Sequence, residues 1–175
     1  CDAVDIEQGL PQLAARPGLT YTRLLRGQVP RILDRYDYRL ELGRAAVVRP
    51  GDDAGVVASG LMTMRALLAA DQLAKQGIEV CVVHVATIKP FDADGVLAQV
   101  NTDRPVFTAE NHTVVGGLFE SVAAALALRG IGKQIHPIAL PDEFLAAGAL
   151  PTLHDRYGLS TASVAARIEG VVRNG

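Results

Sequence analysis

The sequence has few of the features that mark a secreted, disulfide-bonded or membrane protein. It contains two cysteines and no tryptophan in 175 residues, and aromatic residues make up 5% of it. Two cysteines, one of them within the apolar run 78–85, imply no disulfide framework and favour a reducing compartment. No apolar run reaches transmembrane length, and no basic-then-apolar signal segment opens the chain. We therefore expect a cytoplasmic protein without a membrane partner.

The sequence also lacks a strong excess of either charge. Lysine and arginine number 17, aspartate and glutamate number 19, and the formal net charge is −2. This balance gives no electrostatic reason to expect nucleic acid or an anionic membrane as a partner. Hydrophobic residues make up 49% of the chain, which is enough for a sizeable core in one domain, with a piece of another. Because the first residue is Cys1 and not methionine, we expect one part of a longer polypeptide or a proteolytic product.

The common nucleotide-binding and hydrolase motifs are absent too. There is no phosphate-binding loop, no dinucleotide glycine fingerprint and no nucleophile elbow. His136 and His154 have no metal-ligand spacing with each other or with a cysteine. His84 lies in an apolar run and is predicted to be a core or sheet-edge histidine.

Strand and helix patterns alternate from residue 44 to the end of the chain. Apolar runs predict strands at 45–48, 54–59, 78–88, 105–109 and 134–140. Helical periodicity predicts helices at 61–76, at 92–100, from the glycine pair 116–117 to about 129, and from Ser160 or Thr161 onward, with one or two helical turns at 143–150. This order predicts a three-layer α/β/α fold with a mostly parallel, five-stranded sheet.

The first 43 residues have a different organisation. Asp2 can cap a helix that Pro11 would kink or interrupt, and residues 19–25 alternate as a strand does. The charge-rich segment 31–43 has no clear period and is interpreted as a linker. A helix and a strand without a sheet cannot bury much apolar area, so we expect partial disorder or an opportunistic contact for residues 1–30.

A polar triplet follows the predicted strand 105–109. Glu110, Asn111 and His112 offer a carboxylate, an amide and an imidazole at a strand end, and Gly116 and Gly117 then open a helix. In α/β sheets ligands often bind where a strand ends and a helix begins, and the helix N-terminus suits an anion or a carboxylate. The alternative is that this polar loop only caps the helix.

Two arginines near residue 27 form a second candidate site. Arg23 and Arg26 flank the end of the predicted strand and precede Gly27, and a guanidinium held there could bind a phosphate with two parallel hydrogen bonds. The alternative is a surface ion pair. Ser59 and Gly60 repeat the strand-to-helix geometry more weakly.

Five segments of the sequence together resemble the C-terminal part of transketolases. They are DAVDIE at 2–7, TYTRLLRGQVP at 20–30, ASG at 58–60, ENH at 110–112 with the glycine pair 116–117, and RYGL at 156–159. The likeness spans essentially the whole chain and is greatest to separate C-terminal subunits or sections of that family.

This resemblance implies a division of the chain and a function. Residues 1–30 would be the tail of the domain that binds the pyrimidine ring of thiamine diphosphate, 31–43 a linker, and 44–175 the transketolase C-terminal domain. The family moves a two-carbon ketol unit between sugar phosphates with thiamine diphosphate and Mg²⁺, usually as a homodimer. Arg26, with Arg23 as second choice, would bind the substrate phosphate. Glu110, Asn111, His112, Gly116 and Gly117 would line a ligand or regulatory pocket.

The resemblance also implies that the catalytic apparatus lies elsewhere. The family's catalytic glutamate and its diphosphate and magnesium ligands would precede residue 1, so we expect no catalytic residue in this chain and no cofactor or metal bound to it alone. An N-terminal transketolase portion or subunit would be its partner. Deoxyxylulose-phosphate synthase and the beta subunits of 2-oxoacid dehydrogenases share this domain plan and remain alternatives. So does a non-catalytic module for dimerisation or small-anion binding.

Overall fold

Twelve short elements make up the part of the chain that the computed structural model describes, residues 1–25 and 27–174. The helices are α1 Ala3–Ala14, α2 Leu61–Ala74, α3 Ala93–Val100, α4 Leu118–Leu128, α5 Leu150–Arg156 and α6 Thr161–Asn174, with a 3-10 turn at Leu33–Arg35. The strands are β1 Ala45–Arg49, β2 Ala54–Ala58, β3 Val80–Val85, β4 Val106–Thr113 and β5 Ile135–Leu140.

The five strands form one mostly parallel sheet in the order β1-β3-β2-β4-β5. Strands β2, β3, β4 and β5 run parallel, and β1 pairs antiparallel with β3. Every residue of β2 and β3 is buried, as expected for strands covered on both faces. The predicted α/β fold with a five-stranded, mostly parallel sheet is confirmed.

Helices cover both faces of the sheet. Successive strand residues point to opposite faces, so Val56 packs in the layer of α2 and α6, whereas Val57 packs in the layer of α3 and α4. Leu67 and Ile168 join the first layer, and Val122 joins the second. The carboxyl ends of β2, β3 and β4 lie at one edge, where the candidate residues are found.

Two predictions for the N-terminal part differ from the structure. Residues 19–25 form no strand, and Leu19 and Tyr21 are exposed, because no neighbouring strand is present to accept their backbone hydrogen bonds. Helix α1 continues through Pro11 and does not end there. It also packs on the rest of the chain, since Val4 belongs to the same apolar core as β2 and α2.

The segment 31–43, predicted as a linker, is also packed. Ile32 and Leu33 are each 1% exposed, and the 3-10 turn begins at Leu33. Two glutamine side chains of α1, Gln8 and Gln12, accept hydrogen bonds from the backbone N–H groups of Leu40 and Leu42. These contacts place α1 against the segment that follows it.

Two further differences lie in the C-terminal half. Strand β4 runs on to Thr113, so Glu110, Asn111 and His112 belong to its last part and not to a loop. Residues 143–149 are not helical, and the helix of this region is α5, Leu150–Arg156. Within the described parts of the chain, no helix has both the length and the apolar content to cross a bilayer.

Candidate functional site

Glu110 lies beneath the N-terminus of α4. Its side chain is 2% exposed, and its two carboxylate oxygens accept hydrogen bonds from the backbone N–H groups of Leu118 at 2.7 Å and Phe119 at 2.8 Å. A Cβ atom at residue 117 would overlap this carboxylate, so the close approach requires glycine there. The anion that the helix N-terminus attracts is therefore the chain's own Glu110.

The two residues after Glu110 point into different surroundings. Asn111 lies on the other face of β4, where its Oδ1 is 3.3 Å from Nε2 of His154. His112 is exposed, and its Nδ1 donates to the Thr113 carbonyl at 2.9 Å. Gly116 occupies a positive-φ turn, with φ +77°, before Gly117. Glu110, Asn111 and His112 therefore have different hydrogen-bond partners.

His154 is a buried residue that the sequence analysis singled out only for its lack of metal spacing. It is 2% exposed, and its Nδ1 has no hydrogen-bond partner among the described residues. Burial lowers the pKa of His154, and the nearby Arg65 guanidinium lowers it further. A single histidine in helix α5 carries no sequence signal for this environment, so pattern reasoning could not have found it.

A second buried histidine connects three elements. His84, in β3, is 1% exposed; its Nδ1 lies 2.7 Å from Thr63 Oγ1 and its Nε2 lies 3.0 Å from Asp5 Oδ2. Burial acts to raise the pKa of Asp5, but the hydrogen bond and charge of His84 outweigh it and lower that pKa well below its usual range. His84 is thus a satisfied core histidine, one of the two alternatives predicted from its apolar run.

The structure brings Arg23 and the start of α2 to the same cleft. The cleft has a volume of about 670 Å³ and is lined by the start of α1, by residues 23–25, 27–29 and 31, and by Gly60 and Leu61. Gly60 is the N-cap of α2, has φ +52° and provides no side-chain cap. An exposed guanidinium and an uncapped helix N-terminus therefore face one opening, and both suit an anion. Arg26, the first choice for phosphate binding, lies outside the described residues.

The described residues do not provide a metal site. Among residues 1–25 and 27–174, no three His, Cys, Asp or Glu side chains lie close enough together to hold a metal ion. A magnesium diphosphate needs carboxylate and carbonyl oxygens around the cation.

Sheet order, helical layers and sequence together define the class of protein. The family profile described as "Transketolase, C-terminal domain" matches residues 43–164. The chain therefore belongs to the transketolase family and carries a C-terminal section of it, as the resemblance implied.

Particular relatives place the chain within that family. It is 53% identical over 171 residues to the transketolase family protein y4mN of Sinorhizobium fredii, which covers 97% of the chain and 50% of the relative. It is 36% identical over 163 residues to the 6-deoxy-6-sulfo-D-fructose transketolase subunit SqwH of a Clostridium species. This match covers 93% of the chain and 50% of the subunit. The 1-deoxy-D-xylulose-5-phosphate synthase of Dictyoglomus turgidum is 32% identical over 136 residues. This match covers 78% of the chain and 22% of the synthase. The chain thus spans about half the length of the first two relatives.

Solved structures agree with this placement. A split-gene transketolase, solved as an inactive beta4 tetramer, superimposes with a TM-score of 0.86 at 32% identity and covers 99% of this chain and 56% of that one. The transketolase of Pichia stipitis superimposes with a TM-score of 0.57 at 20% identity over 75% of this chain and 18% of that one. The second likeness concerns the fold alone.

Proposed function

We propose that this chain is the C-terminal portion of a thiamine-diphosphate-dependent transketolase and acts only together with an N-terminal portion. The observation that carries the proposal is the match to the split-gene transketolase over 99% of the chain. That match includes α1 and the segment up to residue 42, which precede the family match at 43–164.

The substrate would be a sugar carrying a tetrahedral anion. Arg26, with Arg23 as second choice, is proposed to bind that anion with charge-assisted hydrogen bonds. The cleft supports this role for Arg23 because the uncapped N-terminus of α2 opens into it. Thiamine diphosphate, when bound to the complete enzyme with Mg²⁺, supplies the electron sink for carbon–carbon cleavage. This chain's residues would bind and orient the donor sugar.

The partner would be an N-terminal transketolase portion, in an assembly that is proposed to be a homodimer of the complete unit. Two relatives support a divided enzyme, since one is named as a transketolase subunit and another as a split-gene transketolase. The latter is described as inactive in its beta4 form, which supports the proposal that such a chain needs its partner. The role of the Glu110–Gly117 stretch as a ligand pocket also remains a proposal, weakened by the capping geometry of Glu110.

A fusion protein tests the proposal. Residues 1–175 would replace the matching 163-residue region of the sulfofructose transketolase subunit, and ketol transfer would be assayed with that enzyme's other components and thiamine diphosphate. Ketose 6-phosphate and 6-deoxy-6-sulfo-ketose donors would be compared, because the two anions share a tetrahedral shape. Transfer from either donor supports the proposal. A folded fusion that binds the cofactor and transfers nothing contradicts it.

A second candidate activity is 1-deoxy-D-xylulose-5-phosphate synthesis. Several synthases are 30–34% identical to the chain over 76–81% of its length, although they extend well beyond it. Grafting the chain into the Dictyoglomus turgidum synthase at its matching 136 residues distinguishes the two. Full synthase activity of this graft, with no ketol transfer by the first fusion, would favour the second candidate.

A further inference from the structure

A chain of buried polar side chains connects the first turns of α1 and α2. Asp5 accepts a hydrogen bond from Nε2 of His84 at 3.0 Å, because a carboxylate can only accept. Nδ1 of His84 lies 2.7 Å from the Thr63 hydroxyl, which can donate to the ring nitrogen or accept from it. His84 and Thr63 are almost completely buried, at 1% and 0% exposure. We call this set the Thr63–His84–Asp5 relay.

The relay joins two walls of the cleft described above. Asp5 lies in the first turn of α1, whose start lines the cleft through Asp2 and Ile6. Thr63 lies in the first turn of α2, whose start lines the same cleft through Gly60 and Leu61. His84 lies between them on strand β3 and is within hydrogen-bond distance of both Thr63 and Asp5.

The third wall is attached to the same helix. The buried carboxylate of Asp2 accepts hydrogen bonds from the backbone N–H groups of Ile32 at 2.7 Å and Leu33 at 3.0 Å. Residues 23–25, 27–29 and 31 form the remaining wall. A shift of α1 would therefore move the anchored end of the segment that carries Arg23.

We propose that His84 is a positioning residue for the anion cleft, and that the Thr63–His84–Asp5 relay holds α1, and through it the Arg23 segment, in register with the start of α2. This inference rests on the proposed function, since it takes the cleft as the binding place of the substrate's phosphate. His84 touches no substrate atom in this account. Its effect is on where a phosphate can be held, so a displaced Arg23 segment should weaken binding of the phosphorylated donor.

A pair of substitutions at one position tests the relay without changing the size of the core. Thr63→Val keeps the shape of the side chain and removes the hydroxyl, whereas Thr63→Ser keeps the hydroxyl. In the fusion enzyme, Thr63→Val and His84→Gln should raise KM for a phosphorylated ketol donor about tenfold, on the order expected for a binding group displaced by a fraction of an ångström. In these two variants, kcat and the KM for an unphosphorylated donor should change little. The separate variant Thr63→Ser should have the same KM for the phosphorylated donor as the wild type.

Val83→Ala is the matched control for loss of stability. Val83 is the buried neighbour of His84 on the opposite face of β3, in the layer of α3 and α4. This variant should leave the ratio of the two KM values unchanged. An equal effect of Thr63→Val on both donors, or the same effect of Val83→Ala, would overturn the positioning role while the proposed function stood.

The relay can also be tested without any activity, in the 175-residue chain itself. Thr63→Val should increase the hydrogen-exchange rate of α1 amides at least tenfold more than that of α6 amides. The reason is that the relay includes a residue of α1 and none of α6. Equal exchange of α1 in wild type and Thr63→Val would overturn the inference. If the wild-type fusion is inactive and the exchange of α1 changes as predicted, the proposed function is contradicted and the structural role of the relay is supported.

Discussion

Among the single residues, His154 should govern much of the chain's sensitivity to mild acid. Burial and Arg65 lower the pKa of His154 in the folded state. Below about pH 6.5, the ordinary histidine pKa, the unfolded chain binds a proton that the folded chain resists, so the free energy of unfolding falls as pH falls. We expect His154→Asn to reduce this slope between pH 7.5 and 5.5 in urea unfolding.

The control for that prediction is His112→Asn. It removes an imidazole from an exposed position, where the ring lies against the Thr113 carbonyl, and is expected to leave the slope as it is in the wild type. Identical slopes for wild type and His154→Asn would show that the buried ring does not govern the acid response.

Gly117 offers a second prediction at this scale. Because a Cβ atom there would overlap the Glu110 carboxylate, Gly117→Ala should displace the cap of α4 and lower the free energy of unfolding by about 1–3 kcal/mol. Gly170→Ala is the matched control. A Cβ at residue 170, in α6, meets no heavy atom within 4 Å, so this variant should raise stability by roughly 0.5–1 kcal/mol. Equal effects of the two substitutions would contradict the account.

At the scale of secondary-structure elements, Asp92 gives a prediction about stability, because its side chain connects β1 to α3. Its carboxylate accepts from the backbone N–H groups of Ala45 at 2.9 Å and Gly95 at 3.1 Å. The Ala45 hydrogen bond is the main cause that lowers the pKa of Asp92, outweighing the effect of burial. The resulting stability is present at neutral pH and is lost as pH falls through the lowered pKa, below the ordinary value of about 3.9.

Asp92→Asn should cost about 1–2 kcal/mol of unfolding free energy at pH 7, because the amide keeps one acceptor oxygen and turns its NH2 group toward the other backbone N–H. The difference from the wild type should shrink under acid, where the wild-type carboxyl is itself protonated. Asp94→Asn is the control, because Asp94 is 77% exposed and its ion pair with Arg129 should contribute little. A cost for Asp94→Asn as large as that for Asp92→Asn would mean that net charge, and not the loss of a backbone hydrogen bond, is responsible.

Sequence patterns predicted the elements whose surroundings lie within the chain. The apolar run of β2 and the periodicity of α2 each reflect packing against neighbours that are present. Residues 19–25 have a strand-like pattern, yet a strand needs a partner, and none is available to them. Helix α5 was missed although Pro151, near its first position, favours a helix start.

The candidate site was less predictable than the fold. The sequence placed Glu110, Asn111 and His112 at the end of a strand, but their neighbours are set by residues far along the chain, such as His154. The polar triplet was taken for a loop because local pattern cannot show that β5 continues alongside β4 as far as Thr113. The cap of α4 by Glu110 could be foreseen as an alternative, because a helix N-terminus must find acceptors.

At the scale of the whole molecule, cofactor binding should depend on the partner. None of the described residues forms a carboxylate cluster suited to a magnesium diphosphate. Calorimetric titration of the 175-residue chain with thiamine diphosphate and Mg²⁺ should therefore give no saturable heat. Micromolar binding would show that the chain holds a cofactor site by itself. The transketolase subunit into which the chain is grafted, with its other components, provides the positive control.

The central proposal is that this chain forms an active transketolase only together with an N-terminal portion. Its most direct test is the rate of ketol transfer by the fusion that carries residues 1–175. The account predicts transfer that depends on thiamine diphosphate and on both portions, and that is weakened at the level of donor KM by Arg26→Ala. A fusion that folds and binds thiamine diphosphate, yet transfers no ketol unit from a phosphorylated or sulfonated donor, would contradict it.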